Sequence, residues 1–294
     1  MLHFLQSDAF SVAINEYGAE LCSFLSKSTK TEYLWQKNPK FWDRQAPVLF
    51  PFVGRLKDAK YSYNGKTYEM PIHGFAPTTH FTTSGNTMDS TIVFSCSDTP
   101  QTHKIYPFAF DLDVIFSLQW NLLQIVYRLV NKTDGNMYFS MGSHEGFACP
   151  IAENESFSDY YLEFDNDNTY KALTVTPNGF MTEPYCTILD DDRRLHLDYK
   201  MFDNTSIVLE NVPSNKVILG TKKSKRKVVL EYYNAPNLVL WSQPNAPYIC
   251  IEPWHGLPDF DNYNSPVDIT KKQGIICLKK GETFYWQHDI SIYE

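Results

Sequence analysis

The chain has no apolar run long enough to span a bilayer, which excludes a helical membrane protein. It has no Cys-x-x-Cys pair: Cys22, Cys96, Cys149, Cys186, Cys250 and Cys277 are scattered, several of them within apolar, strand-like runs. That distribution fits core thiols in a reducing compartment. There is no excess of positive charge, since the formal net charge is −8, so a nucleic-acid backbone is not the expected partner. His73, His144 and His255 do not form a His-Glu-x-x-His or other compact ligand spacing, so a metal hydrolase is not the expected reading. The first eight residues hold neither a basic segment nor a long apolar one, so no secretion signal is read there and a cytoplasmic location is expected. No low-complexity linker and no internal repeat divides the sequence, and a single domain over residues 1–294 is expected.

What the sequence does have is aromatic residues (15%) and turn formers, 17 Pro and 13 Gly, over 294 residues. That is the composition of an ordered globular protein with many turns. Short β-branched and aromatic runs recur from Phe10 to Ile292, most of strand length and many bounded by Gly, Pro, Asn or Asp. The clearest is a hairpin in which Leu112, Val114, Phe116 and Leu118 alternate on one face, Trp120-Asn121 links, and Ile125, Tyr127 and Leu129 return. The basic run Lys222 to Lys227, between Val217-Ile218-Leu219 and Val228-Val229-Leu230, reads as a solvated hairpin tip. The fold class that follows is all-β, a large antiparallel β-sandwich. Its loop-rich segments, 38–77 and 143–158, are dense in aromatics, Pro, Gly and His, as functional loops are.

Three polar clusters interrupt the apolar background. One runs from Trp35 to Phe75 and holds Trp42, Pro51-Phe52-Val53-Gly54-Arg55 and His73-Gly74-Phe75. The second is Gly142-Ser143-His144-Glu145-Gly146-Phe147 and the third Glu252-Pro253-Trp254-His255-Gly256. A lone loop histidine is more often a structural hydrogen bonder, and Arg55 alone is an ordinary ion-pair candidate. Two imidazoles on Gly-flanked loops, an arginine and a carboxylate in one chain carry more weight together. The two prolines after Ile251 are expected to end its strand, leaving Glu252 at the sheet's end. Trp254 reads as a packing wedge, His255 and Glu145 as supporting residues, and Asp259 and Asp261 as loop carboxylates. Asp190-Asp191-Asp192-Arg193-Arg194 reads as a solvated turn.

Taken in order, Pro51-x-x-Gly54-Arg55, His73-Gly74-Phe75, Ser143-His144-Glu145-Gly146-Phe147 and Glu252-Pro253-Trp254 resemble the aldose 1-epimerases, or galactose mutarotases. The wording around Tyr33-Leu34-Trp35-Gln36 and Ala46 to Pro51 is most similar to the LacX-like subgroup. The resemblance implies a galactose mutarotase-like β-supersandwich with an open sugar cleft, no cofactor, and interconversion of aldose anomers. It implies Glu252 as general base, His144 as general acid, and His73 and Arg55 as sugar-binding groups. Asp203 is the loosest match, to a sugar-binding aspartate. Trp35, Trp42 or Phe75 would offer an aromatic face to the sugar. The same comparison leads one to expect Arg-Asp after His-Gly-Phe-Ala, where this chain has Pro77-Thr78, so a polar contact near the cleft would be missing.

Mutarotation needs one proton removed from the anomeric hydroxyl and one delivered to the ring oxygen. The expectation from sequence is an ionised Glu252 beside a protonated His144, an order their mutual attraction favours. The partner is a small-molecule sugar, with the chain a monomer or homodimer. A hexose 6-phosphate as substrate would call for several Arg or Lys, whereas only Arg44 and Arg55 lie in the candidate loops. A carbohydrate-binding protein without turnover is the alternative of another class.

Overall fold

The computed structural model describes residues 1–84, 90–166, 170–187, 193–203 and 206–294. Asp190, Asp191 and Asp192 lie outside the described residues, as does the side chain of Cys186. Among the described residues no helix is long and apolar enough to cross a membrane.

Two large antiparallel sheets dominate. The first has nine strands and contains the anticipated hairpin, Phe110–Gln119 paired with Leu122–Asn131, with Leu112 opposite Leu129 and Leu118 opposite Leu123. Alternation is complete along it: Leu112, Val114, Phe116, Leu118, Ile125, Tyr127 and Leu129 are all buried, as a sheet with one face on the core requires. The basic run joins Lys216–Thr221 to Lys227–Glu231 as a hairpin tip. The long strand Thr283–Tyr293 crosses the middle of this sheet, between Lys227–Glu231 and Leu122–Asn131.

The second sheet has seven strands, among them Ser206–Leu209, Asn237–Trp241 and Tyr248–His255. Its two faces differ. Ile207, Leu209, Leu238, Leu240, Ile249 and Ile251 join Leu112, Val114 and Leu123 of the first sheet in one buried cluster. This shared core makes the molecule a sandwich. The other face carries Val208, Val239, Cys250, Glu252 and Trp254, and it is this face that turns toward a cleft.

The strand Tyr248–His255 corrects the expectation that it stops before Glu252: it continues through Glu252 and Pro253 with neighbours on both sides. The reason lies in where a proline loses its donor. Pro253 accepts from Ser143 N–H at 3.2 Å, so its missing N–H faces the same neighbour, and the Asn237–Trp241 side loses nothing. The Ser143 carbonyl that an N–H at residue 253 would have served accepts instead from the Trp254 indole Nε1–H, at 3.2 Å. The neighbouring chain breaks into Met141–Gly142 and Glu145–Ala148 at this point, with Ser143-His144 between.

Candidate active site

The register on either side of that break is the same, Gly142 opposite Trp254 and Glu145 opposite Ile251. His144 therefore falls opposite Glu252. Because Ser143 and Pro253 form the hydrogen-bonded position, His144 and Glu252 form the adjacent position without ladder bonds, where cross-strand side chains approach most closely. His144 Nε2 lies 3.4 Å from Glu252 Oε2. This contact is long and poorly aligned for a hydrogen bond, and Glu252 Oε2 and His144 Nδ1 have no hydrogen-bond partner among the described residues. Buried polar atoms left open in this way call for a polar ligand.

Loops complete the site from the other side. The segment after Pro47 runs along the sheet edge, with Leu49 bonded to Gly142 in both directions and Phe50 bridged to Gly74. Gly74 has φ +76° and no room for a Cβ, which would meet the Phe50 carbonyl oxygen at 2.2 Å. This close backbone contact fixes the His73-Gly74-Phe75 turn beside His144. Gly146 is constrained similarly, because a Cβ there would lie 2.9 Å from the Trp42 ring.

His73 Nδ1 accepts from Gly54 N–H at 3.1 Å, so its proton sits on Nε2 and the ring is a fixed donor. Burial, then the charges of Arg55 and Arg44, push its pKa down to about 3, and it stays neutral at physiological pH. The His144 ring stacks on Trp42 at 4.8 Å and 27°, with His73 edge-on at 5.3 Å and Trp241 edge-on at 5.8 Å. These contacts set its plane.

The cleft holds about 570 Å³ and is lined by, among others, Trp42, Arg44, Arg55, His73, His144, Trp241, Glu252 and Trp254. It thus brings together Glu252, His144, His73, Arg55 and Trp42. It does not include Trp35, Phe75 or Asp203. Trp35 is buried, packs on Tyr248, and donates from Nε1 to the Trp42 carbonyl at 3.0 Å, so it supports Trp42 from behind. Phe75 packs in the main core against Phe50, Tyr106 and Phe110. Asp203 is exposed at the end of the short helical turn Tyr199–Phe202, while Ser206 further along reaches the lining.

Several lining residues were not singled out as sugar-binding from the sequence: Asp43, Asn178 in the turn Pro177-Asn178-Gly179, and Trp241 on the strand next to that of Glu252, while Arg44, noted there only as a loop arginine, follows Asp43 into the lining. Trp241 left a trace as a large aromatic at the end of a strand-length run, two residues from Val239 and so on the same face. Arg44 Nη1 donates to the Pro77 carbonyl at 2.9 Å and lies 3.7 Å from Glu20 Oε2. A guanidinium thus stands against the segment where Pro77-Thr78 replaces the expected Arg-Asp. The Arg55 side chain has no such hydrogen bond or ion pair among the described residues. Its backbone is held by Asp259, whose N–H donates to the Arg55 carbonyl and whose Oδ2 accepts from Lys57 N–H at 2.8 Å. Asp259 lies in a loop, as read from the sequence, but it is fully buried and paired to Lys272 at 2.5 Å.

The electrostatics correct the expected ionisation. Glu252 is 1% exposed and His144 7%, and desolvation outweighs their attraction. Burial, helped by the charge of Glu145, holds the Glu252 carboxyl well above the ordinary carboxylate range. Burial and the neighbouring His73 hold the His144 imidazole well below its ordinary range. Both directions favour the uncharged forms, a carboxylic acid beside a neutral imidazole, so that the pair together holds one proton. His144, Cys250 and Glu252 offer N, S and O atoms within 4.8 Å of one another. Burial raises the Cys250 thiol well above its usual pKa, so a cation there would have to displace protons from both thiol and carboxyl.

This constellation, an acid and a base across one strand gap with fixed donors above them, is suited to proton transfer at two neighbouring oxygens of a ligand. The aldose 1-epimerase family model matches residues 1–292. Protein LacX (plasmid) of Lactococcus lactis subsp. lactis is 30% identical over 264 residues, covering 86% of this chain and 87% of that protein. The structure of a galactose mutarotase related enzyme from Lactobacillus acidophilus superposes with TM-score 0.94 at 34% identity, covering 100% of this chain and 98% of the other. A galactose mutarotase-like protein from Lactobacillus casei superposes with TM-score 0.93 at 29% identity, covering all of both chains. The fold is the galactose mutarotase-like sandwich, and the chain belongs to the aldose 1-epimerase family.

Proposed function

We propose that the protein is a mutarotase that interconverts the α and β anomers of a free aldose by acid-base ring opening and closure. The observation that carries this reading is the His144–Glu252 pair at 3.4 Å on the floor of the cleft, with open polar atoms on both residues. Glu252 takes the proton of the anomeric hydroxyl while His144 protonates the ring oxygen. The ring opens, the C1–C2 bond rotates, and the two transfers reverse on the other face of the carbonyl.

The proton count of the pair suits this cycle. A neutral acid with a neutral imidazole and a carboxylate with an imidazolium differ only by a proton moved across the gap. No exchange with solvent is needed between them. A sugar hydroxyl donating to Glu252 stabilises the carboxylate, and the Trp42 face under His144 stabilises the imidazolium. After ring opening the pair is again neutral, which is the form its burial favours. Neutral His73 donates from Nε2 to a sugar oxygen, and Arg55 supplies charged donors to others.

Two other readings have less support. For a hexose 6-phosphate, the lining holds two guanidiniums and no lysine, and Arg44 is already engaged by Pro77 and close to Glu20. For a binder without turnover, the two proton-transfer groups would have no role. Polarimetry on freshly dissolved α-D-glucose, α-D-galactose and a panel of further aldoses tests the proposal, with calorimetry alongside. Acceleration over buffer is expected for at least one sugar; binding with no acceleration would favour the binder.

A further inference from the structure

A carboxylate lies buried on the core face of the cleft's sheet. Side chains alternate along a strand, so as His144 faces the cleft, Ser143 and Glu145 face the apolar core between the two sheets. Glu145 is 2% exposed there. Its Oε2 accepts from Ser143 Oγ at 2.7 Å, and its Oε1 lies 2.9 Å from Nε2 of His288, which is fully buried on the strand Thr283–Tyr293 of the opposite sheet. The His288 ring is itself held against Tyr127 at 5.8 Å and Trp286 at 5.1 Å. One carboxylate thus ties down both chain neighbours of His144 and anchors them to the other sheet.

We propose that Glu145 and His288 are a positioning pair that holds His144 opposite Glu252 and sets the pH range over which those two share a single proton; this rests on the mutarotase reading above. A buried pair of polar side chains is a costly way to add stability, whereas its location explains it. At the break in the chain Ser143 keeps its N–H bond to the Pro253 carbonyl but its own carbonyl has no backbone N–H from that strand, and Glu145 supplies a further tether from behind. Among the described residues, His144 faces Glu252 across the gap, Cys250 and Tyr248 lie on its own strand, Val239 and Trp241 on the next strand, His73, Asp43 and the two arginines in the loops above, and Glu145 behind. Among these Glu145 is the other carboxylate that acts on Glu252, and its charge favours retention of the shared proton.

The test is the pH profile of kcat and KM for the full chain and for Glu145→Gln and His288→Gln, measured by polarimetry. Glu145→Gln keeps shape and removes charge. The alkaline limb of its profile, set by Glu252, is expected to move to lower pH by about half to one unit. A purely structural role would lower activity without moving the limbs, and superimposable limbs in the folded variant would overturn the proposal. If Glu145→Gln does not fold, His288→Gln decides: kcat should fall about ten- to a hundredfold with KM nearly unchanged, and an unchanged kcat would overturn it. An inactive unmodified chain would count against the mutarotase reading instead. In that case the Glu252 carboxyl is followed by its infrared C=O band against pH, and an identical titration in Glu145→Gln would overturn the positioning pair.

Discussion

His144 and Glu252 meet across the gap between Met141–Gly142 and Glu145–Ala148 beside the strand Tyr248–His255, at 3.4 Å and with Glu252 Oε2 and His144 Nδ1 unpaired among the described residues. The proline following Glu252 helps create that gap. It withdraws a donor from one side of the strand, and the indole of Trp254 serves the carbonyl left behind. The geometry of this pair is thus a consequence of how the Glu252-Pro253-Trp254 sequence folds as a strand.

Removing either proton-transfer group should abolish most turnover. Glu252→Gln and His144→Asn are each expected to lower kcat by about 10²–10⁴-fold, with circular dichroism unchanged.

Stability should move the other way for Glu252→Gln. The folded-state pKa of Glu252 is raised, so above its unfolded value the folded state binds the extra proton and stability falls as pH rises. Glutamine cannot ionise and carries no such penalty. Thermal melts should show Glu252→Gln at least as stable as the parent at neutral pH, with its advantage growing toward alkaline pH. A variant clearly less stable at pH 8 would contradict the electrostatic account.

The activity profile should be broad. The single-proton state of the pair is lost at low pH by protonation of His144, whose pKa is lowered, and at high pH by ionisation of Glu252, whose pKa is raised. The acid limb of kcat/KM should therefore lie below the ordinary imidazole value of 6.5. His73, pushed down to about 3, should leave no limb near neutrality. An acid limb at or above 6.5 would contradict a neutral resting pair.

Much of this was legible in the sequence, and the parts that were not share a cause. Period-2 alternation exposed the Leu112–Leu118 hairpin, because each of its strands has one face on the core. The His144 and Glu252 motifs were legible as chemistry. Their ionisation was not, because desolvation depends on how deeply the sheet sinks them. Pro253 misled for a local reason: a proline ends a strand only when its missing N–H has no substitute. Asp259 looked like a loop charge because Lys272, its partner, is thirteen residues away and only the fold buries both. Trp35 and Phe75 were aromatic enough to suit a sugar, yet their contacts are with Tyr248 and with Phe50, Tyr106 and Phe110.

Arg55 should act on binding more than on chemistry. Arg55→Met is expected to raise KM by about ten- to a hundredfold, the value of a lost charged hydrogen bond, with a smaller effect on kcat. Steady-state polarimetry separates the two.

The most direct measurement is the rate at which freshly dissolved α-D-glucose, α-D-galactose and other aldoses approach optical equilibrium, with the parent chain and Glu252→Gln side by side. The account predicts acceleration of at least one sugar by the parent and its near-complete loss in the variant. Equilibration at the buffer rate with every sugar, or an equal acceleration by both proteins, would contradict it.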